Sequence, residues 1–223
     1  SGVLVVGGDQ GIYLTQNAGQ SWSTLNGDLT TSLLAGLAVN GSEIFTPVQD
    51  FSAIQTFDGG KTWLQLSGPK PPVGENGDAV INSGNTSYQY FFTGTGFWYS
   101  MDDGQNFTND NSQIPPSEWT FDGAEDLIAV DDQNPSTVYL VAKDGVYKSS
   151  DWGVTWTLQS WPMSHPSLID VDPNNSNTIF VGTMPPPPAC GGRLYITHDD
   201  GNTWTQSTLP SQDCNGLVSS PVS

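Results

Sequence analysis

Ser149-Ser-Asp-Trp-Gly-Val-Thr-Trp156 is the stretch that decides the fold. It sets an acidic side chain, a glycine and an aromatic residue at fixed spacing between two strand-like runs, Gly145–Ser149 and Thr155–Leu158. The template recurs as Thr15-Gln-Asn-Ala-Gly-Gln-Ser-Trp22, Thr56-Phe-Asp-Gly-Gly-Lys-Thr-Trp63, Ser100-Met-Asp-Asp-Gly-Gln-Asn-Phe107 and Thr197-His-Asp-Asp-Gly-Asn-Thr-Trp204. The glycines fall at 19, 60, 104, 153 and 201, giving intervals of 41, 44, 49 and 48 residues. A period near 45 is what one four-stranded propeller blade occupies.

Each conserved type has a local task. Asp58, Asp102, Asp151 and Asp199, with Asn17 in the first copy, can accept hydrogen bonds from backbone N–H groups of their own turn. Gly19, Gly60, Gly104, Gly153 and Gly201 supply a positive φ. Trp22, Trp63, Phe107, Trp156 and Trp204 open the next strand and are expected to pack between sheets.

Motif and period together resemble the Asp-box, or bacterial neuraminidase repeat, family, which includes sialidases, sortilin-type receptors, xyloglucanases and a photosystem assembly factor. The resemblance covers nearly the whole chain and implies an all-β propeller of four-stranded antiparallel blades. It also implies that the five boxes are structural and lie at the blade periphery, away from the usual ligand site.

Further strands read around the boxes. The fourth repeat gives Leu127–Val130, Val138–Ala142, Gly145–Ser149 and Thr155–Leu158. The fifth gives Leu168–Val171, Ile179–Val181, Leu194–Thr197 and Thr203–Gln206, and the third Ala79–Ile81, Gln89–Thr93, Phe97–Ser100 and Asn106–Thr108. Continuous apolar runs in the first two strands of a repeat fit sheets buried on both faces. The first repeat starts at Val3–Val6, which matches a second strand, so its innermost strand is missing. Gly216-Leu-Val-Ser-Ser-Pro-Val222 reads as that missing strand. The expectation is one domain over residues 1–223, with five blades closed by a strand shared between the termini, which removes open edges. The alternative is a piece of a longer propeller.

Composition narrows the function. The apolar fraction is 35%, so the 8 Trp, 9 Phe and 7 Tyr must supply much of the core. Five basic residues stand against 23 acidic ones, for a net charge of −18. Such a surface repels phosphate backbones and anionic lipid, which argues against nucleic-acid binding. It suits cations, basic partners or neutral sugars, or simply keeps a secreted protein soluble. No run of about 18 apolar residues exists to span a membrane. The chain opens on Ser1-Gly2 followed by strand-like residues, as a mature or trimmed product would. Low lysine content, polar loops and Asn-X-Ser/Thr sequons at Asn40, Asn85, Asn106 and Asn174 favour an extracellular or cell-surface location.

Antiparallel strands send the connections between strands two and three, and those between blades, to the end opposite the boxes. Cys190 and Cys214 both fall in such connections and are either free thiols or a disulfide. A bridge would close a loop of about 24 residues, worth roughly 3 kcal/mol. The same end carries the long segments Ser67–Asp78, Asn109–Asp126, Ser160–Pro166 and Met184–Gly192. Trp119, Trp161 and His165 on them are candidates for ligand binding, since exposed aromatics beside carboxylates and amides hold neutral sugars. The two tryptophans could equally plug their loops onto the blades.

Asp78, Glu125 and Asp126 stand at the starts of innermost strands. Paired carboxylates there could be a glycosidase acid and nucleophile, a Ca²⁺ site or solvated loop ends. Sialidases of the resembled family hold the substrate carboxylate with three arginines, whereas this chain has Arg193 alone. Xyloglucanases of that family place their site between two propellers, and this chain supplies one. His165 and His198 form neither a metal pair nor a nucleophile's base. The expected function is non-catalytic recognition or scaffolding of a protein or glycan without a required cofactor. The alternative is hydrolysis of a neutral polysaccharide.

Overall fold

The computed structural model describes residues 2–8, 11–27, 34, 36–48, 52–65, 77–93, 96–109, 113–114, 127–162, 166–183 and 192–207. Among them every regular element is a strand. Five antiparallel sheets form, each from strands consecutive in the chain. The first holds β1 (Leu4–Gly8), β2 (Gly11–Thr15) and β3 (Ser23–Thr24). The second holds β4 (Ala38–Asn40), β5 (Glu43–Val48), β6 (Ser52–Thr56) and β7 (Leu64–Gln65). The third holds β8 (Gly77–Ile81), β9 (Gln89–Thr93), β10 (Gly96–Ser100) and β11 (Thr108–Asn109). The fourth holds β12 (Ile128–Val130), β13 (Val138–Ala142), β14 (Gly145–Ser149) and β15 (Thr157–Leu158). The fifth holds β16 (Pro166–Val171), β17 (Ile179–Thr183), β18 (Arg193–Thr197) and β19 (Thr205–Ser207).

The chain divides into two compact units, Ser1–Ile81 with Thr86–Asn109, and Asn82–Asn85 with Asp110–Ser223. In the first, Ala38, Phe45, Ala53, Ala79, Ile81, Phe91, Trp98 and Phe107 form one buried cluster. Its aromatic rings replace aliphatic volume. Phe91 stacks on Trp98 at 5.9 Å between centroids, and Phe45 stacks on Phe107 at 5.6 Å. The second unit buries Leu140, Val141, Ile169, Ile179 and Val181 together with the rings of Tyr139, Tyr147, Trp156 and Tyr195. In both units the second strand of the complete blades lies under cover on both faces, as β5 and β13 show along their whole length. That accounts for the unbroken apolar run of β13, while β5 carries Glu43 and Thr46 under the same cover.

The expected inner strands match β9 and β13 in full, and β17 extends two residues further to Thr183. The outermost strands are shorter than their sequence runs, because the repeated turn claims the first residues. Thr155 N and Thr203 N donate to Asp151 and Asp199 before pairing can begin at β15 and β19. The first sheet has three strands among the described residues and lacks an innermost one, as its sequence implied. Residues 216–222, the expected closing strand, lie outside the described residues, so ring closure rests on the sequence reading.

Candidate functional site

The repeated turn is one hydrogen-bonding device built five times. Its first residue is a buried hydroxyl: Thr15, Thr56, Ser100, Ser149 or Thr197. That oxygen accepts from the backbone N–H of the glycine four residues on, at 2.9, 3.0, 3.0, 2.8 and 3.0 Å. It donates its own proton to Oδ1 of the residue two positions on, Asn17, Asp58, Asp102, Asp151 or Asp199. The same Oδ1 accepts from the backbone N–H of Ser21, Thr62, Asn106, Thr155 or Thr203. In the four aspartate copies Oδ2 takes a side-chain hydrogen bond from that last residue, at 2.6–2.7 Å. Asn17 keeps the geometry with the sense reversed, its Nδ2 donating to Ser21 Oγ at 2.8 Å.

Donors converging on a carboxylate favour its ionised form. The Thr62 backbone and side-chain donors hold Asp58 well below the usual carboxylate range. The Thr203 donors lower Asp199 to about 2. At Asp102 and Asp151 desolvation pushes the other way, and the donors from Asn106 and Thr155 together outweigh it. Every oxygen of these aspartates is engaged in holding its own turn, which makes the boxes structural.

The sequence reading missed two parts of this device. The residue before each glycine adopts a left-handed conformation, with φ of 56° at Ala18, 56° at Asp103, 65° at Trp152 and 58° at Asp200. Gly59 fills that position in the second copy. These are costly conformations for residues with a Cβ. Each is fixed by an N–H donated to the turn or chain entering the same sheet: Ala18 to Gly2, Gly59 to Ser42, Asp103 to Ser87, Trp152 to Ser136 and Asp200 to Asn177. The second omission is a companion turn, Asp131-Asp-Gln-Asn-Pro-Ser-Thr137 and Asp172-Pro-Asn-Asn-Ser-Asn-Thr178. In both, the Asn N–H donates to the Asp carbonyl and the Asn side chain donates to the Thr hydroxyl, at 2.9 and 3.0 Å. A shared D-x-x-N-x-x-T spacing was the available signal. The box end of each sheet is thus stapled to its first turn.

The aromatic residues closing the boxes reach the preceding repeat. Trp63 Nε1 donates to Leu25 O at 3.1 Å and Trp204 Nε1 to Ser160 O at 3.0 Å. Phe107, 6% exposed, enters the Phe45–Phe91 cluster. Trp156 is buried, and its backbone N–H donates to Gln113 Oε1. Trp22, in the incomplete first sheet, is 45% exposed. Gly60 shows how closely the chain packs here, since a Cβ at that residue would lie 2.5 Å from Leu25 O.

Two inter-repeat junctions are polar. In the second unit Lys148 Nζ pairs with Asp200 Oδ2, and Tyr139 donates its hydroxyl to Asp200 Oδ1 at 2.7 Å. Burial raises the Tyr139 phenol strongly, and the Asp200 hydrogen bond and charge add to the shift. In the first unit the Gln55 and Gln89 amides donate to one oxygen of Glu43, at 2.7 and 2.8 Å. Burial pushes the Glu43 carboxyl up against those two hydrogen bonds, and the Asp103 charge adds to the rise. None of these residues was singled out in the sequence.

Of the candidate site residues, Asp78 and Trp161 are described, whereas Trp119, Glu125, Asp126, His165, Cys190 and Cys214 lie outside the described residues. Asp78 sits in β8, largely buried, and its Oδ1 accepts from Ala79 N at 2.7 Å. Trp161 follows β15 and meets Tyr195 and Trp204 edge-on, at 5.4 and 4.9 Å between centroids. It fastens the connection leaving the fourth sheet onto the fifth. Among the described residues no group of three or more His, Cys, Asp or Glu is placed to hold a metal, and no helix is long and apolar enough to cross a membrane.

Comparison with known protein families finds no match, and no curated protein matches. Solved structures do. The chain is similar to an ancestral GH74 enzyme, with TM-score 0.67 and 19% identity, covering 93% of this chain and 29% of that one. It is similar to the extracellular domain of a hybrid two-component system from B. thetaiotaomicron, with TM-score 0.67, 14% identity and coverage of 96% and 27%. A nidogen/laminin complex structure matches with TM-score 0.63, 10% identity and coverage of 92% and 77%. The chain therefore spans less than a third of the first two. At these identities the likeness defines the fold: the protein is a β-propeller of antiparallel blades.

Proposed function

We propose that the chain is an Asp-box propeller that acts outside the cell as a recognition or scaffold module, binding a protein or a neutral glycan without chemical turnover. The observation behind this reading is the unequal use of the two ends of each sheet. At the box end, every turn aspartate is spent on its own loop and stapled to the neighbouring turn. The long segments bearing Trp119, Trp161 and His165, with Glu118, Glu125 and Asp126 among them, leave from the opposite end, beyond Gln65, Asn109, Leu158 and Thr183. A rigid frame with variable segments at one end suits binding. The net charge of −18 disfavours anionic ligands. Propellers of similar fold occur in an extracellular domain and in a nidogen/laminin complex, which accords with a surface location.

Probing a neutral-glycan array, alongside an activity screen on xyloglucan and other neutral polysaccharides, tests the reading. Binding without hydrolysis is expected, weakened about tenfold by Trp119→Ala, the loss of one stacking ring. Hydrolysis that disappears in a folded Asp78→Asn protein would replace this reading with a glycoside hydrolase using Asp78 with Glu125 or Asp126.

A further inference from the structure

The Asn-X-Ser/Thr sequons all fall in one place in the fold. Asn40-Gly-Ser42 turns β4 into β5, Asn85-Thr-Ser87 lies in the turn from β8 to β9, and Asn174-Asn-Ser176 in that from β16 to β17. Asn106-Phe-Thr108 closes the third box. Each lies at the box end of its own sheet, where Gly59 N donates to Ser42 O and Asp103 N to Ser87 O. The segments leaving the opposite end contain no sequon.

Local structure separates three of these asparagines from the fourth. Asn85 and Asn174 are exposed and Asn40 is half-exposed. Asn174 donates its backbone N–H to Asp172 Oδ1 at 2.9 Å, while the side chain that fastens the turn is that of Asn175, whose Nδ2 donates to Thr178 Oγ1. Asn85 is placed through its backbone N–H, donated to Asn82 Oδ1 at 3.1 Å. Beside Asn40 the chain stands clear of its neighbours, since a Cβ at Gly41 would meet nothing within 4 Å. Phe57, 47% exposed, follows alongside, its carbonyl accepting from Ser42 Oγ at 3.0 Å, which gives a sugar on Asn40 an apolar ring close by. Asn106 differs. Its Nδ2 donates to Asp102 Oδ2 at 2.7 Å, its N–H donates to Oδ1 at 2.8 Å, and Phe107 beside it is buried. That hairpin is local, and hairpins form in about 1–10 μs. Chain synthesis at about 5–20 residues per second is far slower, so the box engages the amide first. The fourth sheet holds a natural control, because its turn reads Asn134-Pro-Ser136 and a central proline bars sugar transfer.

We propose that Asn40, Asn85 and Asn174 carry N-linked glycans, so that the box end of these sheets is covered by sugar and recognition is confined to the opposite end. The inference rests on the extracellular reading above. Transfer joins Nδ2 to the anomeric carbon of an oligosaccharide carried on a lipid pyrophosphate. The carbon–oxygen bond to the pyrophosphate breaks, Nδ2 gives up one proton, and the lipid pyrophosphate leaves with the electron pair. The hydroxyl that the sequon needs is one the turns already use, as Ser87 Oγ donates to Asp103 Oδ1 and Ser176 Oγ to Asp131 Oδ1. The modification therefore sits on exposed turns and leaves the sheet hydrogen bonds intact.

The test is secretion of the full chain from a eukaryotic host behind a cleavable leader. Peptide N-glycosidase in heavy-oxygen water then converts each glycosylated asparagine to a labelled aspartate, located by peptide mass spectrometry. Label is expected at Asn40, Asn85 and Asn174 and absent from Asn106 and Asn134. Neutral-glycan array binding should be the same before and after the sugars are removed. The proposal is overturned if any two of the three asparagines are unlabelled, if Asn106 is labelled as fully as they are, or if removal abolishes array binding at an unchanged melting temperature. Three labelled sites on a protein that binds nothing on the array would support the glycans and count against the recognition reading alone.

Discussion

The junction of the second and third sheets and that of the fourth and fifth present the same problem with different solutions. Each must seat a carboxylate, Glu43 or Asp200, against a side chain of the neighbouring repeat. Beside Asp200 the chain provides Lys148 and Tyr139, and the core mixes aliphatic residues with Tyr147, Trp156 and Tyr195. Beside Glu43 it provides the amides of Gln55 and Gln89, and the core is a cluster rich in aromatic rings. A repeat conserves backbone geometry, while the side chains that balance charge at its seams are free to differ. In the first unit cohesion comes from ring packing, and the polar seam is left short of positive charge. In the second the seam carries its own cation, and Trp204, the aromatic closing its last box, is only partly buried.

The sharpest way to break this contrast is to remove those aromatic residues. Phe107→Ala deletes a ring in contact with Phe45 and Phe91 and should cost about 3–5 kcal/mol, read by urea denaturation. Trp204→Ala deletes a partly buried ring with its contact to Trp161 and its hydrogen bond to Ser160 O, so a smaller loss of about 2 kcal/mol is expected. Equal losses would mean that the two units are not held differently. Next in size is Lys148→Met, which leaves Asp200 with Tyr139 and no cation. Both partners are partly exposed, and screening keeps the expected loss near ~1 kcal/mol.

Stability against pH should separate the turns from the seam. Asp199 falls from 3.8 to about 2 on folding, and Asp58 is lowered as well. A lowered carboxylate contributes stability that is present above pH 3.8 and disappears as the pH drops towards 2. Glu43 is raised above 4.5, so its contribution is present below pH 4.5 and is lost as the pH rises beyond it. Urea midpoints measured from pH 2 to 7 should fall steeply on the acid side. Glu43→Gln should flatten the decline on the other side. The smallest effect belongs to the left-handed residues. Trp152→Gly relieves a φ of 65°, as Gly59 does natively, and the greater freedom of the unfolded chain offsets the gain. A net change within about 0.5 kcal/mol is expected by thermal melting.

The sequence made the blades legible because box residues act locally. Thr56, Asp58, Gly60 and Thr62 lie within seven residues, and their spacing carries the whole hydrogen-bond pattern. The three strands of the first sheet among the described residues were legible for the same reason, since Val3–Val6 could be aligned with second strands elsewhere. The seams were not. Glu43, Gln55 and Gln89 are polar residues in strands, and Gln89 is 46 positions from Glu43. Only the packing of one sheet on the next brings them together. Trp161 was legible as an aromatic in a long connection, but its edge-on packing with Tyr195 and Trp204 depends on strands more than thirty residues away. The companion turns at Asp131 and Asp172 were readable in principle, since their Asp, Asn and Thr recur at one spacing.

Structural work at the box end and ligand recognition at the other is the central claim, and one paired measurement tests it directly. Asp58→Ala, Asp199→Ala and Trp119→Ala would each be assayed for melting temperature and for neutral-glycan array binding well below the melt. The account predicts lower melting temperatures with an unchanged binding profile for the two aspartate variants. For Trp119→Ala it predicts a lost or weakened profile at an unchanged melting temperature. Binding abolished by an aspartate variant that melts like wild type would contradict it and place the site at the box end.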